Sequence, residues 1–220
     1  MTATVKALRI GETKVNVVKP RSRYNTFPEG PFELKFSRRL TDQELLAFSA
    51  ENDHLRIEED KNGTLIIMPP VDFDGGAAES TVHGLLYLWW SQFKKGKTFS
   101  PSTGFKLPDG ATRSADGCWV SDTRLAQVLP AERKKFARIV PDFVIEVRST
   151  SDRIGKLKKK MTDTWIKNGV RLAWLIDPIA QKAYVYREDG TMETMNSFDE
   201  VLNGEAVCPG FQLDLKTLKI

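Results

Sequence analysis

Cysteine and histidine are scarce in this sequence. The 220 residues include two cysteines, Cys118 and Cys208, which lie far apart in the chain, and two histidines, His54 and His83. Two isolated cysteines make neither a disulfide framework nor a zinc knuckle. Two isolated histidines are too few for a histidine-based metal site. We therefore expect reduced thiols in or near the core and a reducing environment.

Long apolar runs are also missing. No stretch approaches the roughly 18 apolar residues that a membrane-spanning helix needs. Charged residues are scattered through the N-terminal region, which contains no apolar run of signal-peptide length. These absences predict a cytoplasmic protein without a membrane partner.

Apolar residues nevertheless make up 40% of the chain and aromatic residues 10%, which is enough for a hydrophobic core. The length fits one domain, which we place at residues 31–220 after a polar N-terminal arm of residues 1–30. The net charge of +4 and the pI of about 9.0 suit an anionic partner such as nucleic acid. Many proteins without such a partner carry the same basic excess.

Two local patterns stand out early in the predicted domain. Thr41-Asp42-Gln43-Glu44 is a capping box, which predicts the start of a helix. Residues 54–58 alternate between polar and apolar, as a half-buried strand should. Lys61-Asn62-Gly63 can form a tight turn, and residues 64–68 supply a partner strand. The second pattern therefore predicts a β-hairpin.

The rest of the domain is predicted to alternate between strands and helices. The predicted strands are residues 99–107, 112–120, 142–148, 172–176 and 183–186. The predicted helices are residues 77–93, preceded by Gly75-Gly76, and residues 152–168, ended by Gly169. We also expect short surface helices in residues 121–138 and an edge strand in residues 209–220. Residues 143–175 have the composition of a crossover between parallel strands, so we predict an α/β fold of mixed α+β type, with a central mixed sheet flanked by helices.

Glu146 interrupts Phe143-Val144-Ile145-Glu146-Val147, which otherwise resembles a buried central strand. Side chains alternate along a strand, so Glu146 and Arg148 should share the face opposite Phe143 and Ile145. A carboxylate in such a strand needs a cation, hydrogen bonds or a metal ion. The alternative to a functional role is a structural ion pair with Arg148 or another base.

Asp116 lies in a second strand that could neighbour the first. Two carboxylates that point from adjacent strands to one place would form an oxygen-rich site for Mg²⁺ or Mn²⁺. Such an ion can bind a scissile phosphate and lower the pKa of a bound water. The alternative is that Asp116 is a turn residue beside Gly117.

A nuclease also needs a cation that offsets charge developing on the phosphate. Arg148 follows Glu146 by two residues, and Lys160 lies in the basic run KLKKK of the following predicted helix. Either could supply this charge. The alternative for any single lysine of the run is a solvated helix face.

Several blocks of the chain together resemble the Uma-two family of restriction-type endonucleases within the PD-(D/E)XK superfamily. They are PDFVIEVRSTSD at 141–152, Lys160-Met161, NGVRLAWLIDP at 168–178 and STGFKLPDGATRS at 102–114. The hairpin near residues 55–70 matches as well, so that the resemblance spans roughly residues 30–215. It implies a restriction-endonuclease-like fold.

The resemblance also implies roles for individual residues. Asp116 takes the place of the aspartate in the motif, Glu146 takes the (D/E) place, and Lys160 stands where the family carries its lysine. Glu79 is a looser match to an additional acid. Two positions depart from the pattern: Ala115 replaces the usual proline, and Arg148 stands where the signature lysine would be. Arginine can stabilise charge but cannot act as a base.

The resulting hypothesis is a Mg²⁺- or Mn²⁺-dependent homodimeric endonuclease that acts on DNA. Asp116 and Glu146 would share one cation, and without metal their repulsion should raise at least one carboxyl pKa. Arg113, Lys156 and Lys159 are the candidate contacts to nucleic acid. Two alternatives remain open: a nucleic-acid-binding or regulatory protein that keeps the fold without useful catalysis, and a homodimeric interaction protein with an idle acidic site.

Overall fold

The computed structural model of the chain describes residues 15–17 and 31–219. Within them the α-helices are α1 (Asp42–Glu51), α2 (Phe73–Phe93), α3 (Asp122–Leu125) and α4 (Ile154–Lys160). The strands are β1 (Val15–Val17), β2 (Phe32–Phe36), β3 (Arg56–Glu59), β4 (Leu65–Met68), β5 (Lys97–Phe99), β6 (Phe105–Lys106), β7 (Thr112–Arg113), β8 (Gly117–Val120), β9 (Phe143–Val147), β10 (Leu172–Asp177), β11 (Lys182–Arg187), β12 (Met192–Met195), β13 (Val201–Asn203) and β14 (Gln212–Asp214). Apart from β1, the predicted arm lies outside the described residues.

The capping box and the hairpin are both confirmed. The Thr41 side chain accepts a hydrogen bond from the Glu44 amide at 3.2 Å, and the Glu44 carboxylate accepts one from the Thr41 amide at 2.8 Å. Strands β3 and β4 pair antiparallel around a turn in which Gly63 has a φ of 82°. Glycine suits that position because the left-handed region strains residues that carry a Cβ.

Helix α2 begins earlier than predicted. Asp72 caps it and accepts a hydrogen bond from the Gly75 amide at 2.7 Å, so Gly75 and Gly76 lie inside the first turn rather than before it. A Cβ at position 75 would lie 3.0 Å from the Asp72 carboxylate, and a glycine avoids this close contact. The predicted start at residue 77 was therefore wrong, because the cap at Asp72 outweighs the low helix propensity of the two glycines.

The strands form two six-stranded sheets. One has the order β1-β2-β4-β3-β7-β6, and the other has the order β12-β11-β10-β9-β8-β5. In the second sheet β9 and β10 run parallel and the other neighbouring pairs run antiparallel. The predicted mixed sheet and the parallel crossover are thereby confirmed.

The predicted strand at residues 112–120 is divided between the two sheets. Its first part is β7 and its second part is β8, and only β8 pairs with β9. Between them the Ser114 amide donates to the Glu58 carboxylate at 3.2 Å, and the Asp116 carboxylate accepts from the Val147 amide at 2.8 Å. Acidic side chains thus replace the strand ladder at this point. The prediction of a single strand at residues 99–107 was also wrong, because β5 and β6 belong to different sheets.

The second sheet is covered on both faces. Helix α2 and the C-terminal segment pack on the face of Phe143 and Ile145, whereas the helical segment that starts with α4 packs on the face of Val144. That segment covers the predicted helix, but it changes to a π-helical turn at Met161–Trp165 and a 3-10 turn before it ends at Gly169. The flanking helices are therefore confirmed.

The C-terminal tail forms its own small sheet. The strand predicted in this tail is β14, which pairs with β13 in a two-stranded sheet and extends neither of the larger ones. Phe211 lies just before β14 and stacks on Trp174 of β10, with ring centroids 5.4 Å apart. None of the helices in residues 31–219 is long and apolar enough to cross a membrane.

We predict that Phe211→Ala lowers the free energy of unfolding by about 3–5 kcal/mol, because it leaves a cavity against Trp174. Leu129→Ala is a matched control, since Leu129 is 64% exposed and its truncation should change stability by less than about 0.5 kcal/mol. Urea unfolding monitored by circular dichroism measures both variants. Equal stability losses would contradict the proposed packing of the tail.

Candidate active site

Asp116 and Glu146 lie at the same end of the β8–β9 strand pair. Gly117 is paired with Ile145, and one further step in this antiparallel register places Asp116 opposite Glu146. Both residues are 4% exposed. The Val147 amide donates to one carboxylate oxygen of Asp116 at 2.8 Å and fixes its orientation. The structure therefore brings the two predicted acids together.

Glu146 is held by two side chains of the helical segment that follows. Trp165 donates its indole N–H to Oε1 at 2.7 Å, and the Lys160 ammonium lies 2.9 Å from Oε1 and 3.1 Å from Oε2. Lys160 ends α4, and the π-helical turn after it places Trp165 beside the same carboxylate. The predicted approach of Lys160 to the acids is confirmed.

Burial raises the pKa of Glu146 to about 7, and the nearby charges of Asp116 and Glu58 act in the same direction against the opposing effect of Lys160. This agrees with the expectation that two close acids raise at least one carboxyl pKa. Burial acts to lower the pKa of Lys160, but Glu146 and Glu58 together keep it above its ordinary value. The lysine is therefore cationic at neutral pH.

Sequence reasoning missed Arg56, which approaches Asp116 from the other sheet. Its Nη2 donates to Asp116 Oδ1 at 3.0 Å, and the guanidinium lines the same cavity. The signal in the sequence was the alternation of residues 54–58, which places Arg56 and Glu58 on one face of β3. Nothing in that short pattern indicated that this face lies against the acids of the second sheet.

Glu58 was missed for the same reason and, at 2% exposed, is the most buried acid that lines the cavity. Its carboxylate lies 2.8 Å from Arg113 Nη1 and 3.3 Å from Lys160 Nζ. Burial acts to raise its pKa, but Lys160, Arg113 and Arg56 together lower it to about 2. Arg113, predicted as a contact to nucleic acid, therefore directs its guanidinium to a buried carboxylate.

Glu79, the looser match, lies on α2 and lines the cavity. Burial raises its pKa to about 7, and the negative charges of Asp116, Glu146 and Asp152 add to this effect while Arg56 opposes it. The structure thus places Glu79 with the two main acids.

The cavity around these groups has a volume of about 600 Å³ and lies between the β3–β4 hairpin and the end of β9. Lys156 and Lys159, the other predicted contacts to nucleic acid, are exposed and line it. Lys61 and Arg153 are exposed there as well. The acidic interior is therefore accompanied by basic groups that solvent can reach.

Arg148 does not join the site, which corrects the prediction that it faces the same pocket as Glu146. Strand β9 ends at Val147, and the guanidinium of Arg148 turns to Asp177, with distances of 2.9 and 3.2 Å from one nitrogen to the two carboxylate oxygens. Its Nε donates to the Asp152 carbonyl at 3.3 Å. The side chains of β9 therefore alternate between the two faces of the sheet as predicted up to Glu146. Arg148 lies beyond the end of the strand, and the alternation does not extend to it.

In the described ranges, no group of three or more histidine, cysteine, aspartate or glutamate side chains is arranged to hold a metal ion. Asp116 and Glu146 form a pair, and Arg56 and Lys160 lie against their oxygens. Any metal site here would have to be built on two carboxylates that already interact with cationic side chains.

The mixed α/β fold is of the restriction-endonuclease-like type. The Uma-two model (Uma2), described as "Putative restriction endonuclease", matches residues 42–216, and the chain belongs to this family. A crystal structure from Anabaena variabilis, described as a putative nuclease belonging to DUF820, is similar in fold, with a TM-score of 0.61 and 20% sequence identity. That match covers 74% of this chain and 88% of the other. The comparison with curated proteins gave no match.

We predict that Glu58→Gln lowers the free energy of unfolding at pH 7 by about 3 kcal/mol, because it leaves the buried cations without their partner. The folded-state pKa of Glu58, about 2, lies below the ordinary value of 4.5, so its stabilisation is present above pH 4.5 and is lost as the pH falls toward 2.

Chemical denaturation at a series of pH values measures this effect, and Glu51→Gln, at an exposed position, is the control. The difference between the wild-type protein and Glu58→Gln should shrink over that acidic range. A difference that is independent of pH would contradict the ionised state assigned to Glu58.

Proposed function

We propose that the protein is a divalent-metal-dependent endonuclease that hydrolyses phosphodiester bonds in DNA. The observation that carries this proposal is the arrangement of Asp116 opposite Glu146, with Lys160 Nζ 2.9 Å from the Glu146 carboxylate at a cavity of about 600 Å³. Membership of the Uma-two family, whose model is described as "Putative restriction endonuclease", supports it.

The donor chemistry of the pair fits Mg²⁺ or Mn²⁺. Both residues offer carboxylate oxygens, which these hard cations prefer. Oδ1 of Asp116 accepts one hydrogen bond from Arg56, and Oδ2 accepts one from the Val147 amide. Each oxygen keeps a lone pair for a further ligand. Asp116 and Glu146 would hold the ion, which when bound supplies Lewis acidity toward a phosphoryl oxygen and an acidified water.

The chain's own residues would prepare the site for this chemistry. The Val147 amide orients Asp116, and the Trp165 indole orients Glu146. Lys160 keeps a positive charge beside the acids, where it can offset charge that develops on phosphate. We assign this role to Lys160 rather than to Arg148, because Arg148 is bound to Asp177. Exposed Lys156 and Lys159 would contact backbone phosphates at the cavity edge.

A second candidate is a DNA-binding protein with little or no catalysis. The observation that favours it is that Arg56 and Lys160 lie against the oxygens that a metal ion would need. Cleavage assays separate the two candidates, because a binding protein would retain DNA without nicking it.

We predict that the protein nicks supercoiled plasmid with Mg²⁺ or Mn²⁺ and that EDTA abolishes the reaction. Asp116→Asn and Glu146→Gln should each lower the rate at least about 1,000-fold, and Lys160→Met should lower it by about 100- to 1,000-fold. Asp53→Asn is the matched control, because the side chain of Asp53 is 91% exposed. Equal nicking by wild type and Asp116→Asn would refute the proposed site, and binding without nicking would favour the second candidate.

We also propose that the chain forms a homodimer through the outer face of α2. Phe73, Tyr87 and Leu88 are more than half exposed on this helix, with Ser80 and Gly84 exposed between them. This face carries little charge, so two copies related by a two-fold axis could pack against each other without like-charge repulsion.

Light scattering coupled to size-exclusion chromatography should give twice the 24.8 kDa of one chain for the wild-type protein. Leu88→Glu should give the monomer mass, because it buries charge in the contact. Ile179→Glu, at a residue 54% exposed in the β10–β11 turn, should remain dimeric. A monomeric wild type, or a dimeric Leu88→Glu, would contradict this interface.

A further inference from the structure

The cations of the cavity differ in how fully their donors are used. Lys160 contacts Glu146, Glu58 and the Ser114 carbonyl. Arg113 is paired with Glu58 at 2.8 Å. Among the described residues Arg56 likewise makes one side-chain hydrogen bond, from Nη2 to Asp116, but its side chain is 24% exposed against 11% for Arg113.

Among the described residues, the other donors of Arg56 make no hydrogen bond. Its Nε is buried and has no hydrogen-bond partner among the described residues. A buried donor without a partner is costly, on the scale of a lost hydrogen bond. The side chain is 24% exposed and lines the cavity, so a ligand that enters the cavity can reach it. Arg56 is therefore the most exposed of the three cations that contact the buried acids, and it has donors left for a ligand.

Strand pairing fixes the backbone position of Arg56. It is the first residue of β3, which pairs with β4 along its length and with β7 at Glu59. The guanidinium spans the gap between the two sheets to reach Asp116 Oδ1 at 3.0 Å. A planar guanidinium with free N–H groups matches the oxygens of a phosphate better than a lysine ammonium does.

We propose that Arg56 is a phosphate ligand of this site and binds a backbone phosphate of the DNA with the donors that Asp116 leaves free. The proposal rests on the proposed function, since it takes DNA as the substrate. It also has a consequence for metal binding: a cation held by Asp116 and the Arg56 guanidinium repel each other at the same carboxylate, so each weakens the binding of the other. Arg56 would thus restrain Asp116 in the free protein and engage the substrate when the site is loaded.

A purely structural role for Arg56 makes different predictions. If Arg56 only links the two sheets through Asp116, its removal should loosen the site and weaken every ligand together. If Arg56 is a phosphate ligand that competes with metal, its removal should strengthen metal binding and weaken DNA binding. The two effects have opposite signs, which makes them separable.

The metal-binding experiment uses Tb³⁺ alone as the probe. The Trp165 indole donates to Glu146 at 2.7 Å, so Tb³⁺ bound by this carboxylate should be excited through tryptophan and emit. We expect Arg56→Ala to bind Tb³⁺ several-fold more tightly than wild type, because one competing cation is gone. Trp165→Phe should reduce the sensitised emission, which assigns the signal to this site. Weaker Tb³⁺ binding by Arg56→Ala would indicate the structural role and overturn the proposal.

The DNA-binding experiment uses a short labelled duplex in Ca²⁺. Fluorescence anisotropy measures binding at several salt concentrations. We expect Arg56→Ala to bind about tenfold more weakly and to reduce the salt slope by about one unit, as the loss of one phosphate contact requires. Arg56→Lys keeps the charge and should recover part of the affinity. Arg38→Ala is the matched control, because Arg38 pairs with Glu44 away from the cavity and should leave DNA binding unchanged.

Unchanged DNA affinity and salt slope in both Arg56 variants would overturn this inference, whatever the terbium result. If wild type nicks plasmid in Mg²⁺ while Arg56→Ala binds DNA normally, the proposed function stands and the role of Arg56 falls. If the wild-type protein fails to bind the duplex at low salt, the proposed function falls and this inference with it.

Discussion

Burial of negative charge at the end of the β8–β9 strand pair is the constraint on which this site depends. Asp116 and Glu146 are 4% exposed, and Glu58 is 2% exposed. Ionised groups in such surroundings are strongly destabilising unless cations and hydrogen bonds compensate them. The compensating cations are Arg56, Arg113 and Lys160. The acids and their cations together come from both sheets and from α4, so the same electrostatic contacts that hold the acids also connect the hairpin to the second sheet.

Much of this arrangement could be predicted from the sequence. Alternation along β9 identified Glu146 as a charged residue in a buried strand, and the resemblance to a nuclease family identified Asp116 and Lys160. The prediction was less exact where side chains override the strand ladder. Residues 112–120 read as one strand, but hydrogen bonds from backbone amides to Glu58 and Asp116 divide them between two sheets. Such interactions depend on distant partners, which periodicity alone does not reveal.

The remaining errors have the same origin. Arg56 and Glu58 share a face of β3 in the sequence pattern, yet their role depends on a contact between two sheets, which local periodicity does not encode. Arg148 was placed in the site because it is two residues from Glu146, but β9 ends between them and Asp177 captures the guanidinium. The sequence therefore predicted the positions of Asp116, Glu146 and Lys160. It misplaced Arg148 and gave no signal for Arg56, because long basic side chains select their partners only in the folded structure.

The proposed site requires that Asp116 and Glu146 jointly hold one divalent cation. A crystal of the full chain soaked in Mn²⁺ tests it most directly, because the anomalous scattering of manganese locates the ion without reference to activity. We expect one anomalous peak within about 2.0–2.6 Å of a carboxylate oxygen from each of the two residues. A peak bound elsewhere, or none at this pair in a well-ordered crystal with manganese in the medium, would contradict it and leave Glu146 as the buried partner of Lys160.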